Sequence, residues 1–237
     1  VPILPVGGST TVSARRLSGT TFVLRCDSET AYAHDATLFA DIEVLHEEGV
    51  AAVIVAPDAP SARALVMRMN LSQNRAVGIS GSDAALLPHA ADGVGAVQPE
   101  ILLALIDAGF VPIVEPIAYA PIPAREELVE PDEVTRAIGI ALHASRAIFF
   151  HRAGSVANPL TNAPISELTA AEALALADDE RLAPDLRATM RAAARGVRGG
   201  IGAAEICDGR IAHAAVIELL TERHLGTRVT GGVVLAA

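Results

Sequence analysis

The 237 residues carry 28 acidic and 18 basic side chains, a formal net charge of −10, which argues against a surface that tracks nucleic-acid phosphates. Hydrophobic residues make up 51% of the chain. No apolar run reaches the ~18 residues of a membrane span, and the start lacks the charged-then-apolar pattern of a secretory signal, so a soluble cytoplasmic protein with no membrane partner is expected. Two cysteines, Cys26 and Cys207, offer neither a disulfide framework nor metal-ligand spacing and read as small buried hydrophobes. All 18 basic residues are arginine; the sequence contains no lysine.

Residues 1 to 18 are rich in Pro, Gly, Ser and Thr, show no period, and are expected to form a loose arm before a single domain over 19 to 237. Residues 20 to 26 (TTFVLRC) have the β-branched and aromatic composition of a strand. A helix follows, with Leu38, Ile42 and Leu45 inside, Glu43 and Glu47 outside, and Gly49 after its end. Residues 50 to 56 (VAAVIVA) form a second buried strand, 61 to 74 a helix, and 76 to 79 (AVGI) a third strand. The order so far is βαβαβ.

Residues 98 to 118 (QPEILLALIDAGFVPIVEPIA) read as a complete helix-to-strand unit. Pro99 suits the first helical position, Ile101, Leu102, Leu105 and Ile106 recur at helical spacing, and Gly109 ends the helix. Residues 110 to 117 are apolar without alternation, as in a strand covered on both faces, and Pro112 places that strand near a sheet edge. Beyond it, a helix over 131 to 145 opens with Pro131, a strand covers 146 to 150, and a loop covers 153 to 166. Thr169 and Glu172 have capping-box spacing at the start of another helix. An arginine-studded helix at 184 to 198, a strand at 201 to 207, a helix at 211 to 223 and a strand at 227 to 235 complete the chain. This alternation predicts an α/β protein, a three-layer αβα sandwich around a mainly parallel central sheet.

The segments AVGISGSDAALL (76 to 87), QPEILLALIDAGFVPIVEPIA (98 to 118), ISELTAAEALAL (165 to 176) and CDGRIAHAAVIELLTERHLGT (207 to 227) together resemble the acetylglutamate kinases of the amino-acid kinase family. The resemblance runs from about residue 19 to the end of the sequence. It implies the amino-acid kinase fold, usually as a homodimer. It also implies ATP-dependent phosphorylation of the side-chain carboxylate of N-acetylglutamate, a step of arginine biosynthesis.

Such a transfer needs backbone N–H groups near the phosphates and cations against the charge that develops. Most of the matching positions have changed. The family's first loop, lysine, any residue, glycine, glycine, is here Arg25, Cys26, Asp27 and Ser28. The histidine-and-glycine loop after the second strand is Ala56, Pro57, Asp58, Ala59 and Pro60, where the prolines donate no N–H and the aspartate repels an anion. The SGSD turn keeps Ser80, Gly81 and Asp83, with Ser82 in place of a lysine. Asp132 matches the acid that orients the family's lysines, Thr189 matches the second lysine, and Glu130 replaces an asparagine. His151 and Arg152 replace a nucleotide-side Thr-Asp. The segment carrying the family's substrate-binding arginine is missing; Arg63, Arg68 and Arg75 are the candidates to replace it, against the commoner reading of each as a surface arginine.

The resemblance therefore implies catalytic positions at Asp132 and Arg25, ligand-binding positions at Ser80, Gly81, Ser82, Asp83 and Arg152, and remnants of a regulatory arginine pocket at Glu218 and Glu205, with His224 in place of a glycine. The expected protein is a catalytically inactive relative with a binding, regulatory or scaffolding role and no cofactor. The alternative is a working kinase that uses ATP and Mg with arginines in place of lysines. His34, His46, His89, His143 and His213 are scattered without paired spacing, so no metal site is expected. Strand ends and turns bring Asp27, Glu29, Asp58, Asp83, Glu115 and Asp132 toward one edge against Arg25 and Arg152, which favours a neutral or cationic ligand over a polyphosphate. Apolar residues on the helix at 99 to 108 point to a homodimer; a small molecule or another protein is the remaining partner expected.

Overall fold

The computed structural model describes residues 17 to 91, 93 to 221 and 225 to 232. In chain order the elements are β1 (Thr21–Arg25), α1 (Ser28–Ala33), α2 (Asp35–Glu47), β2 (Ala51–Val55), α3 (Ala59–Ser72), β3 (Ala76–Ile79), β4 (His89–Ala90), β5 (Gly93–Val94), α4 (Glu100–Asp107) and β6 (Val111–Val114). They continue as β7 (Ile117–Pro121), β8 (Ala124–Leu128), α5 (Pro131–Ala141), β9 (Arg146–Phe150), β10 (Glu167–Thr169), α6 (Ala170–Leu176), α7 (Pro184–Arg198), β11 (Ala203–Cys207), α8 (Ala214–Leu220) and β12 (Thr227–Thr230).

Eight strands form one sheet in the order β10-β12-β11-β9-β1-β2-β6-β3. Every neighbouring pair is parallel except β11 and β12. Parallel strands need both faces covered, and successive residues of β1 show how this is done. Phe22 and Leu24 enter a cluster with α2, α3 and α8, while Val23 enters one with α4 and α5 on the opposite face. A third cluster packs α6 and α7 against β9 and β11. Each fully buried Phe, Leu or Ile contributes about 1.5–3 kcal/mol of transfer free energy, so continuous apolar strands with amphipathic helices hold the three layers together.

Several boundaries differ from the sequence reading. The apolar stretch at 110 to 117 is not one strand: β6 stops at Val114, and Ile117 begins a separate antiparallel hairpin of β7 and β8. Glu115 and Pro116 intervene, with the Ile117 N–H turned back onto the Glu115 carbonyl at 2.8 Å. Pro112 lies on an inner strand rather than an edge, because β6 sits between β2 and β3. It is tolerated because Val111 and Glu115 donate toward β3, which directs the alternate nitrogens toward β2, and that ladder starts only at Ile54 opposite Ile113. The helix expected at 211 to 223 is shorter, Ala214–Leu220, and residues 222 to 224 lie outside the described set, as do 233 to 237 of the last strand and 1 to 16 of the arm. Leu17, at the end of that arm, packs against the core. Both cysteines are buried and unpaired with each other, and Thr169 forms the full capping box with Glu172.

Candidate functional site

With β1, β2, β6 and β9 parallel and adjacent or nearly so, the loops after their carboxyl ends share one edge of the sheet, the edge where open α/β sheets bind ligands. Two of these loops are built alike. After β1, Asp27 caps α1, its Oδ1 accepting the Thr30 N–H at 2.7 Å. After β2, Asp58 caps α3, its Oδ1 accepting the Ser61 N–H at 2.7 Å. Aspartate favours this position because its carboxylate satisfies an orphan donor of the first helical turn and meets the positive end of the helix dipole. The same donors are those an incoming phosphate would use. In both loops a carboxylate of the chain itself takes them.

Arg25 ends β1 and points into the edge. Its Nη1 donates to the Phe150 carbonyl at 2.7 Å, and its Nε lies 2.8 Å from Asp132 Oδ1, a charge contact whose angles fall outside hydrogen-bond geometry. Asp132 sits in the first turn of α5, and its Oδ2 accepts the Thr189 hydroxyl from α7 at 2.5 Å. Both side chains of the ion pair are mostly buried, at 18% and 11% exposure. The structure thus joins Arg25, Asp132 and Thr189, three positions far apart in sequence, in one polar cluster linking β1, β9, α5 and α7. Its only cation already faces a carboxylate and a carbonyl.

The SGSD turn follows β3. The Ser80 N–H donates to Asp83 Oδ2 at 2.8 Å, and Ser82 Oγ donates to Glu126 Oε1 of β8 at 2.9 Å. Gly81 is required sterically, since a Cβ there would lie 1.9 Å from the Ile117 carbonyl oxygen. Ala84 and Ala85 have φ of 50° and 56°, in the left-handed region that disfavours a side chain. Beside the turn is a cavity of about 450 Å³, with Arg63, Val66, Ser80, Asp83, Glu115, Ile117 and Glu126 on its wall. Arg68 does not line it and pairs with Asp35 of α2 at 3.0 Å.

Arg152 does not join the Arg25 cluster. Its side chain is 76% exposed and lies 3.6 Å from Asp185 at the start of α7. The neighbouring His151 is buried, and burial holds its pKa below the usual imidazole value, with the Asp185 charge opposing the shift. The Ala153 N–H donates to His151 Nδ1 at 3.1 Å, which leaves Nε2 to carry the hydrogen toward Asp185, 3.5 Å away. Glu205 is buried in β11, with Oε1 accepting from Arg228 Nε at 2.7 Å and Oε2 without a hydrogen-bond partner. Burial raises its pKa; Arg228 opposes that. Glu218 accepts the Leu225 and Gly226 N–H groups at 2.6 and 2.8 Å, clamping the turn into β12. His224 lies outside the described residues.

The expected gathering of six acids resolves into local pairings. Asp27 and Asp58 cap helices, Asp83 closes its own turn, Asp132 holds Arg25, and Glu115 faces Arg63 at 3.6 Å. The side chain of Glu29 lies outside the described set. Among the described residues, no group of three His, Cys, Asp or Glu side chains is placed to hold a metal ion, and no helix is long and apolar enough to cross a membrane. Sequence reasoning missed Glu126, Asp185 and the pairing of His213 Nδ1 with buried Asp41 at 2.8 Å. All three depend on contacts between elements distant in the chain, and none sits in a short motif.

No protein-family model matches the sequence. The acetylglutamate kinase of Parasynechococcus marenigrum is 31% identical over 180 residues, covering 70% of this chain and 61% of the relative. That of Leifsonia xyli subsp. xyli is 31% identical over 188 residues, with 70% and 61% covered. The chain therefore spans about three-fifths, 61%, of the length of these relatives. Among solved structures, N-acetylglutamate synthase from Neisseria gonorrhoeae, complexed with coenzyme A and N-acetyl-glutamate, matches with a TM-score of 0.81 at 18% identity, over 95% of this chain and 62% of that one. Carbamate kinase from Giardia lamblia bound to AMP-PNP matches with a TM-score of 0.65 at 13% identity, over 90% and 99%. The protein has the amino-acid kinase fold. Within that class, its sequence relatives are acetylglutamate kinases.

Proposed function

We propose that this chain is a ligand-binding relative of the acetylglutamate kinases that does not itself transfer phosphate. The observation that carries this reading is the pair of aspartate caps: Asp27 and Asp58 occupy, with their own carboxylates, N–H groups at the two helix starts that flank the sheet edge. A polyphosphate brought there would meet two negative charges and would have to displace both caps. Arg25 is engaged by Asp132 and the Phe150 carbonyl, and Thr189 supplies a hydroxyl without positive charge. These residues do not fit ATP with Mg. On this reading the protein works without a cofactor, as a homodimer that binds a small molecule or presents a surface to a protein partner.

The test is a thermal shift with ATP and Mg, paired with an assay for acyl phosphate formed on N-acetylglutamate. A ligand present at a hundred times its dissociation constant adds about 2.7 kcal/mol of stability. No saturable rise in melting temperature and no acyl phosphate are expected at millimolar ATP. A clear rise together with transfer would overturn the proposal in favour of a kinase in which Arg25 replaces a lysine.

A further inference from the structure

The cavity beside the SGSD turn combines features that the inactive reading leaves unexplained. Glu115 follows β6, its backbone N–H fixed on the Ile79 carbonyl at 2.8 Å, and its side chain is 13% exposed. Among the described residues its charged partner is Arg63, whose Nε stays 3.6 Å away, beyond hydrogen-bond reach. A carboxylate so nearly removed from water is costly unless a donor meets it. Arg63 projects from the second turn of α3 with 80% of its side chain exposed, so its guanidinium is able to swing across the cavity mouth. A cation and a carboxylate therefore stand side by side on the wall of a cavity of about 450 Å³, a volume suited to a small metabolite, close enough together for the adjacent carboxylate and ammonium of one amino acid to reach both, with Val66 and Ile117 supplying an apolar wall.

We infer that this cavity binds a free basic α-amino acid, with its α-ammonium on Glu115 and its α-carboxylate on Arg63. The inference rests on the ligand-binding reading above and names the ligand class. An unsubstituted amine is required because Glu115 offers acceptors and no donor, and acylation would remove both the charge and two of the three N–H groups. A planar guanidinium at the rim suits the carboxylate, which it can grip with two parallel hydrogen bonds. The side chain then lies along Val66 and Ile117 toward Asp83 and Glu126. Each of these acids has one oxygen committed to a nearby serine, Asp83 to the Ser80 N–H and Glu126 to the Ser82 hydroxyl, and among the described residues its other oxygen has no hydrogen-bond partner. Two further carboxylates select a cationic end group over a neutral or anionic one.

Isothermal titration with L-ornithine, Nα-acetyl-L-ornithine, L-glutamate and N-acetyl-L-glutamate, without nucleotide, tests the inference. L-ornithine is expected to bind at least tenfold tighter than each of the other three. Arg63→Ala removes an exposed side chain and should weaken L-ornithine at least tenfold without moving the melting temperature; Glu115→Gln should weaken it by a similar factor. Equal or tighter binding of any of the other three compounds, no binding of L-ornithine at millimolar concentration, or full affinity in a folded Arg63→Ala protein would each overturn it. Phosphate transfer from ATP would sink the inactive reading and leave this one standing, so the two fail separately.

Discussion

Asp132 shows how a single residue can tie distant elements together. It accepts the Thr189 hydroxyl and faces Arg25, so one carboxylate ties two helices to the sheet edge. Asp132→Ala would leave the Arg25 guanidinium without its counter-charge in a mostly buried position. Breaking a fully buried pair costs about 3–5 kcal/mol. Residual exposure and solvent screening bring the expected loss here to about 2 kcal/mol, read as a lower urea midpoint at unchanged slope. A loss below about 0.5 kcal/mol would mean that solvent already screens the pair. The side chains at Arg25, Asp27, Asp58 and Thr189 were legible in the sequence, because a residue type states its own chemistry. That Asp27 and Asp58 spend their charge on helix caps was not, since the same acid can cap, repel or coordinate depending on where the following N–H groups point.

Among the described elements, the stretch just after Asp83 in the SGSD turn stands out by its backbone. Two successive alanines, Ala84 and Ala85, take left-handed φ values of 50° and 56°, where a Cβ crowds the following carbonyl. Each costs about 1 kcal/mol relative to a residue without a side chain, partly offset by the extra freedom of glycine in the unfolded chain. Ala85→Gly is therefore expected to stabilise the protein by about 0.5 kcal/mol, visible as a small rise in melting temperature. A loss of more than about 1 kcal/mol would show that the alanine methyl makes packing contacts outweighing its strain. The turn itself was readable from Ser80, Gly81 and Asp83, yet nothing in the string says that Gly81 must admit the Ile117 carbonyl at close range. The hairpin of β7 and β8 escaped sequence reading because one half, AREEL, is charged and lacks an apolar alternation. It exists because its partner strand and the turn at Ser82 hold it.

At the scale of the molecule, the helices beside the sheet leave apolar surface exposed. On α3, Met67 and Leu71 are 64% and 83% exposed, and at α4 Leu103 and Phe110 are 45% and 40% exposed, while Leu102 faces the core. Apolar side chains one turn apart on one helix suit a second copy, and self-complementary faces close most simply into a two-fold dimer. Light scattering at tens of micromolar is expected to report twice the 24.4 kDa chain mass; a monomer would remove the dimer from the proposal. The sequence alone determined the layering, because strands such as VAAVIVA have no polar face to leave in water, and helices with one apolar stripe must cover them. It also determined the side chains available at the sheet edge, since the sequence has no lysine and places Asp27, Pro57, Asp58 and Pro60 in the stretches just after β1 and β2. Only the tertiary structure decided strand order, the reversal of β12 against β11, and the seating of Pro112 on an inner strand. Only it decided that Arg25 meets Asp132 and that Arg63 lies beside Glu115 on the wall of a cavity. These contacts join residues 107 and 52 positions apart in the chain (132 − 25 and 115 − 63). Local propensity acts over a turn or two, whereas packing sets which distant charges become neighbours.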